Sequence, residues 1–235
     1  MIDKSFIEKI ESMAEVKILE IDGRKFTTDG VSPVLDPEAR SIGVHTLTGL
    51  VAFLGTLVAD FGPIIHVRDY NNVAVVSGLF GNNKQREVVV TATAFDLDHR
   101  FGQSIPVEDF IVYLQSMFVQ DETTANIMKI VGNLSQGTEA QFADNGMTQR
   151  VTAKAGVARV EVVDLPNPVE LRPFRTFADI EQPASKFVLR IKADKDHGPR
   201  CALHEADGGA WKNTAIATIK TWLTDNGPEG IKIIA

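Results

Sequence analysis

The sequence predicts an α+β protein, in which antiparallel β-hairpins and a meander pack with about five helices. Three observations carry that prediction. Val107, Phe110, Ile111, Leu114 and Phe118, then Ile127, Ile130, Val131 and Leu134, recur at three- and four-residue steps, the period of a helical face. Residues 64–68, 73–79 and 87–94 are short runs rich in Val, Ile and Thr, separated by Asn- and Gly-bearing turns, as a meander requires. Asp22-Gly23 and Asn145-Gly146 stand between such runs and tolerate the positive φ of a two-residue hairpin turn. The order of strands within a sheet does not follow from these patterns.

The elements can be justified in chain order. Ser5 and Glu8 have the spacing of a capping box, and Phe6, Ile7, Ile10 and Met13 form an apolar stripe behind it, so a short helix opens the chain. Residues 17–21 and 24–28 flank Asp22-Gly23 as a hairpin. Gly30, Pro33, Pro37 and Gly43 make 29–43 a loop. Thr46 caps a helix carrying Leu47, Leu50, Val51, Leu54, Leu57, Val58 and Phe61, with Ala52, Phe53 and Ala59 on its other side. A helix apolar nearly all round is either central to the fold or buried between subunits, which makes Leu47, Leu50, Leu54 and Leu57 candidates for an oligomer interface. Gly62-Pro63 ends it, the meander follows, and 95–103 is a polar connector into two amphipathic helices broken at Gln120-Asp121-Glu122.

Beyond residue 135 the pattern turns to β. Residues 139–143 and 148–153 form a hairpin around Asn145-Gly146, and 158–163 is a further alternating strand. Pro166, Pro168, Pro173 and Pro183 make 165–185 an extended, weakly regular arm. Strands follow at 186–192 and 200–205. Asp207 is placed to cap a helix whose face is Trp211, Ala215, Ile219 and Trp222, and Asn226-Gly227-Pro228 stops it before a last strand at 231–235. The change of character divides the chain into 1–135, with the meander and helix pair, and 136–235, the β-rich part with the Trp-bearing helix. No flexible linker marks the division, so a single domain stands equally open.

Composition bounds the function. A chain of 235 residues that is 44% hydrophobic can bury a sizeable core. Its net charge of -7 weighs against a general polyanion binder, though not against a local basic patch. One cysteine excludes an internal disulfide framework and suits a reducing cytoplasm. The first residues lack the basic and apolar regions of a signal peptide, and no apolar run approaches the roughly 18 residues of a membrane span.

Three constellations carry candidate chemistry. His197, Cys201 and His204, with Glu205 and Asp207 beside them, offer zinc-ligand or thiol-nucleophile chemistry, but the paired spacing of a zinc site is missing. Strand parity puts Cys201 with Leu203 on one face and His204 on the other, so a buried cysteine and a surface histidine is the simpler reading. Asp96, Asp98 and His99 could hold a divalent cation, against the plainer alternative of a solvated loop, because no calcium-loop pattern follows them. Lys186, Arg190 and Lys192 share a strand face, and Arg172 and Arg175 interleave with Phe174 and Phe177, the composition of a single-strand nucleic-acid surface. Phe187, Leu189 and Ile191 complete the alternation, so solvated cations over a core face explain the same strand. His45 and His66 are isolated, and neither Gly78-Leu79-Phe80-Gly81 nor Gly208-Gly209 matches a phosphate-cradling loop.

HTLTGLVAFL (45–54), FVQDETTANIMKIVGNL (118–134) and GPRCALHEADGGAWK (198–212), joined by VTAKAGVARVEVVDLPNPVELRPFRTF (151–177), resemble the YfdQ-like family of uncharacterised phage and prophage proteins. The resemblance implies a phage-encoded protein made in the cytoplasm of a bacterial host. It brings no activity, no cofactor and no residue role to this chain. The leading expectation is a non-enzymatic accessory protein that binds a host protein or a small molecule as a homo-oligomer. The alternatives are a nucleic-acid accessory factor using the five cations, and a metal- or thiol-dependent enzyme at 197–207.

Overall fold

The computed structural model describes residues 3–28, 34, 40–57, 62–81, 84–135, 139–144, 149–155, 159–165, 167–194 and 198–235. It is α+β, as the patterning predicts. Helix α1 (Lys4–Ala14) leads into the hairpin β1 (Ile18–Ile21) and β2 (Arg24–Thr27). Asp22 and Gly23 both adopt positive φ, 51° and 73°, as the tight turn demands. The expected capping box does not form. Asp3 occupies the cap position, Ser5 lies inside the helix, and the Ser5 hydroxyl donates to the Asp3 carboxylate at 2.9 Å.

Two cores follow. The first lies on a five-stranded sheet of β3 (Ile42–Val44), β4 (Ile64–Val67), β5 (Asn72–Val76), β6 (Val88–Thr93) and β14 (Lys232–Ile234), in the order β14-β4-β5-β6-β3. The antiparallel meander β4-β5-β6 is the predicted one, and parallel partners are added at both edges. Helices α2 (Leu47–Leu54) and α5 (Trp211–Asn226) cover it. Leu47, Leu50, Leu54, Ile65, Val75, Val90, Ile219 and Leu223 are buried together here. This corrects the expectation of a subunit interface at Leu47, Leu50, Leu54 and Leu57. The first three are at most 4% exposed within one chain, and Leu57 is half-buried against the same core. The apolar circumference of α2 is explained by contact with both the sheet and α5.

The second core lies on a sheet of β7 (Ile105–Pro106), β11 (Val169–Leu171), β12 (Ser185–Asp194) and β13 (Gly198–Glu205), ordered β11-β12-β13-β7 and antiparallel throughout. Helices α3 (Val107–Met117) and α4 (Glu122–Ser135) pack on it. Phe110, Leu114, Phe118, Ile127 and Val131 meet Leu171, Phe187, Leu189, Ile191 and Leu203. The break between the helices is held by side chains. The Gln120 amide donates to the carbonyls of Leu114 and Phe118, and Asp121 accepts from Thr124 N–H. Both sheets draw strands from both sides of residue 135. Strands β8 (Glu139–Asp144), β9 (Gln149–Ala155) and β10 (Arg159–Leu165) form a further antiparallel sheet, ordered β10-β9-β8. The Asn145-Gly146 turn lies outside the described residues.

The prolines of 165–185 produce a strap rather than a loose arm. It leaves β11, crosses to the first core, where Phe177 and Ile180 are buried, and returns into β12. On the way Asp179 reaches the N-terminus of α2. Its carboxylate accepts from the N–H groups of Leu47 and Thr48, each at 3.0 Å, and from the Thr48 hydroxyl at 2.6 Å. Burial acts to raise this carboxyl, and the Thr48 and Leu47 hydrogen bonds outweigh it, leaving the group more acidic than an ordinary aspartate. Thr46 caps the same end by accepting from Gly49 N–H, as its sequence position predicts. Asp207 accepts from Gly209 N–H, and α5 starts only at Trp211, so the carboxylate holds the turn that precedes the helix.

Asp179→Ala removes a cap delivered from more than a hundred residues away, and its expected cost is about 1 kcal/mol. Because the carboxyl is more acidic folded than unfolded, its contribution is complete at neutral pH and is lost as pH falls below about 4. Urea unfolding at pH 7 and at pH 3 should therefore show a smaller gap between wild type and Asp179→Ala at the lower pH.

Candidate functional site

The strap places one charged side chain between the two cores. Arg172 C=O accepts from Val119 N–H and Phe174 N–H donates to Met117 C=O, which ties the strap to the loop after α3. Gln182 then folds the strap on itself. Its side-chain carbonyl accepts from Arg175 N–H and Thr176 N–H, and its amide donates to Phe177 C=O. The Thr176 hydroxyl donates to Tyr70 C=O in the β4–β5 turn. With its backbone so fixed, the Arg175 side chain has a single course, inward, and is only 7% exposed.

Aromatic rings receive the guanidinium. Its carbon lies 3.6 Å from the centroid of Trp211, at the start of α5. Phe187 and Phe101, on the second core, are 5.8 and 6.0 Å away. Nη1 donates to Glu205 Oε1 at 2.5 Å, while Nε and Nη2 have no hydrogen-bond partner among the described residues. Stacking on the negative faces of the rings replaces part of the lost hydration. Burial lowers the Arg175 pKa and Glu205 acts against that shift, but a guanidinium stays charged under any physiological condition. Asp207 stands nearby. Burial would raise its carboxyl, yet the Ser185 hydroxyl at 2.5 Å, the N–H groups of Gly209 and Trp211, and the Arg175 charge together hold it below the usual carboxylate range.

A second polar unit lies beside the first. His99 Nε2 is 2.9 Å from Phe174 C=O, an acceptor only, so Nε2 carries the proton. Nδ1 is then the acceptor for the Tyr113 hydroxyl at 3.1 Å, and that hydroxyl oxygen accepts from Arg100 N–H at 3.2 Å. The imidazole stacks on Phe101 at 4.8 Å, 3° from parallel. Burial lowers the His99 pKa, and burial pushes Tyr113 up to about 12. Both groups are neutral at pH 7, and every polar atom of the pair is engaged. The unit therefore orients the 95–103 connector against α3 and the strap.

The sequence candidates are scattered by this arrangement. Cys201 is 0% exposed in the second core, with its thiol pushed up by burial to about 12, so it supplies no thiolate near neutral pH. His204 is exposed on the opposite face of β13, and His197 lies outside the described residues. Among the described residues no group of three or more His, Cys, Asp and Glu side chains is placed to hold a metal ion. Asp96, Asp98 and His99 do not converge either, because His99 turns inward while the two carboxylates stay exposed. His45 is structural, with Nδ1 2.9 Å from Thr93 C=O and its ring stacked on Phe95.

The five cations do not make an open basic strip. Arg175 is buried, and Arg172 pairs with Glu181. Arg190 is half-buried and not without a partner. Strand β8 packs along β12, and Ala202, opposite Arg190 in register, is buried. Lys186 and Lys192 remain exposed. Sequence reasoning missed the inward course of Arg175. The available signal was a lone cation inside Phe174-Arg175-Thr176-Phe177, in a segment where prolines leave few backbone hydrogen bonds to the sheet.

Two features are left unabsorbed by the cores. The first is the arm of α1, β1 and β2, in which every residue from 3 to 25 is exposed. The second is a cleft of about 470 Å³ between the connector and α3, with Asp98, Arg100, Asp109 and Tyr113 among its lining residues. No family model, no curated protein and no solved structure matches the chain.

Two measurements test the buried units. Glu205→Ala removes the carboxylate hydrogen-bonded to the buried guanidinium and leaves only the more distant charge of Asp207, at an expected cost of about 3 kcal/mol. Arg175→Met leaves only a part-exposed carboxylate, which water can solvate, and should cost about 1 kcal/mol; urea midpoints at pH 7 rank the two. For His99, the unfolded chain takes up a proton near pH 6.5 that the folded imidazole resists. Stability is thus complete above that pH and declines as pH falls below it, and His99→Phe should flatten the decline.

Proposed function

We propose that the protein is a non-enzymatic accessory protein that works by binding and acts as a homo-oligomer. In keeping with the resemblance to the YfdQ-like family, we read it as phage-encoded and made in the bacterial cytoplasm. Its target is a host protein or a small molecule, as counteraction of a host defence would need. One observation carries the reading. Phe6, Ile7, Ile10, Met13, Val16, Ile18, Leu19 and Ile21 are between 47% and 79% exposed, all within one arm.

That arm cannot account for its own order. A helix of eleven residues is marginal alone in water, and so is a two-stranded hairpin. Both gain stability when an apolar face is buried, at roughly 25 cal/mol per Å². Contiguous apolar surface of this kind marks an association site. A second copy presents the same stripe, and a closed two-fold pair covers both stripes with one interface. The greasy surface that self-contact must hide is therefore the arm, and α2 keeps its leucines for the interior.

Ile10→Lys with Met13→Lys tests this without touching either core, since both side chains are exposed. Native mass spectrometry should give an oligomer for the wild type and a monomer for the double variant, with unchanged near-ultraviolet circular dichroism from the Trp and Tyr rings, all of which lie outside the arm. A wild type that is monomeric at micromolar concentration would remove the reading.

A further inference from the structure

Among the described residues, helices cover one face of the five-stranded sheet. Val73, Val75 and Val90 point into the first core beneath α2 and α5, so strand parity turns Ile64, Val76 and Val88 to the other face. None of these three is fully buried, and none belongs to either core. Ile234 of β14 joins them, opposite His66 in register and 44% exposed. A sheet face left to water carries polar residues at its outward positions. Four aliphatic side chains there call for a covering layer. Two cations border the same face. Arg68 N–H donates to Asn72 C=O, which continues the pairing past β4 and puts Arg68 on the side of His66, two residues before it. Lys232 lies opposite Ile64. Both cations are exposed, and neither side chain makes a hydrogen bond or ion pair with any described residue.

The stripe of α1 fits this face in length and in charge. Eleven helical residues run about 16 Å. The five extended residues 64–68 also run about 16 Å. Phe6, Ile7, Ile10 and Met13 stay exposed in their own chain. Along one side of their stripe stand Glu11 and Glu15, one turn apart, while Lys4 on that side is paired with Glu8 at 3.5 Å. The carboxylates of Glu11 and Glu15 make no hydrogen bond or ion pair with any described residue. An acidic flank on the helix thus matches a basic border on the sheet. Reach is no obstacle, because residues 28–41 join the arm to β3 at the edge of the same sheet, and a chain of that length spans up to about 45 Å. We infer, resting on the homo-oligomer proposed above, that the outward face of the five-stranded sheet seats the α1 stripe of a second copy, with Glu11 and Glu15 against Arg68 and Lys232. The exchange is reciprocal, so a two-fold pair covers both stripes and both sheet faces.

Charge reversal with exchange of partners tests this in the full chain, read by sedimentation equilibrium at pH 7. Arg68→Glu with Lys232→Glu reverses the sheet border, and Glu11→Lys with Glu15→Lys reverses the helix flank. Each double variant alone sets like charges together, and its dissociation constant should rise about a hundredfold over wild type. Mixed in equal amounts, the two variants restore both contacts at once, and the mixed pair should form with the affinity of the wild type. If the wild type self-associates and Arg68→Glu with Lys232→Glu leaves its dissociation constant unchanged, the arm meets some other surface of its sister copy and this assignment is overturned while the oligomer stands. A mixed pair no tighter than either variant alone overturns it equally. A monomeric wild type removes the oligomer and the assignment together.

Discussion

A guanidinium held between two hydrophobic cores is the constraint on which this structure depends. The five-stranded and four-stranded sheets each have their own helices and their own apolar interior. Arg175 lies between them, stacked on Trp211 of α5, the helix that covers the first, and flanked by Phe101 and Phe187 from the second. A buried cation is costly unless something replaces its water. Three rings and one carboxylate do so here: Phe101, Phe187 and Glu205 on the side of the second core, and Trp211 at the start of α5 on the side of the first. The charge therefore discriminates against partly assembled states, in which it would be buried with fewer compensating groups.

The rest of the strap follows from that requirement. Its backbone cannot join a sheet at the prolines, so its polar groups are met by side chains and loops: Gln182 inside the strap, Met117 and Val119 beside it, Asp179 at the end of α2. Those to Met117, Val119 and α2 are long-range in sequence. They make 172–184 an ordered link between the cores and bring His99 to Phe174 C=O as part of the same assembly.

Much of the secondary structure was legible in the sequence because it is local. Periodicity located α2, α3, α4 and the meander, and Asp22-Gly23 located the first hairpin. What was not legible depends on partners far along the chain. The parallel edges of the five-stranded sheet join β3 to β6 and β14 to β4, which no local pattern encodes. Leu47, Leu50 and Leu54 were read correctly as needing cover, but the cover is α5 and the sheet of the same chain. The arm shows the converse. The stripe of Phe6, Ile7, Ile10 and Met13 was visible, while its remaining uncovered is a tertiary fact. Of the candidate sites, the separation of Cys201 from His204 followed from strand parity. Arg175 and His99 were misread because charge and spacing alone do not reveal burial.

Native-state hydrogen exchange measures the coupling of the cores most directly. If Arg175 and its strap join them into one cooperative unit, the most protected amides of β5 and β6 and those of β12 and β13 will share a single opening free energy across a range of denaturant. Two distinct opening energies, with one sheet exchanging while the other stays protected, would contradict this account.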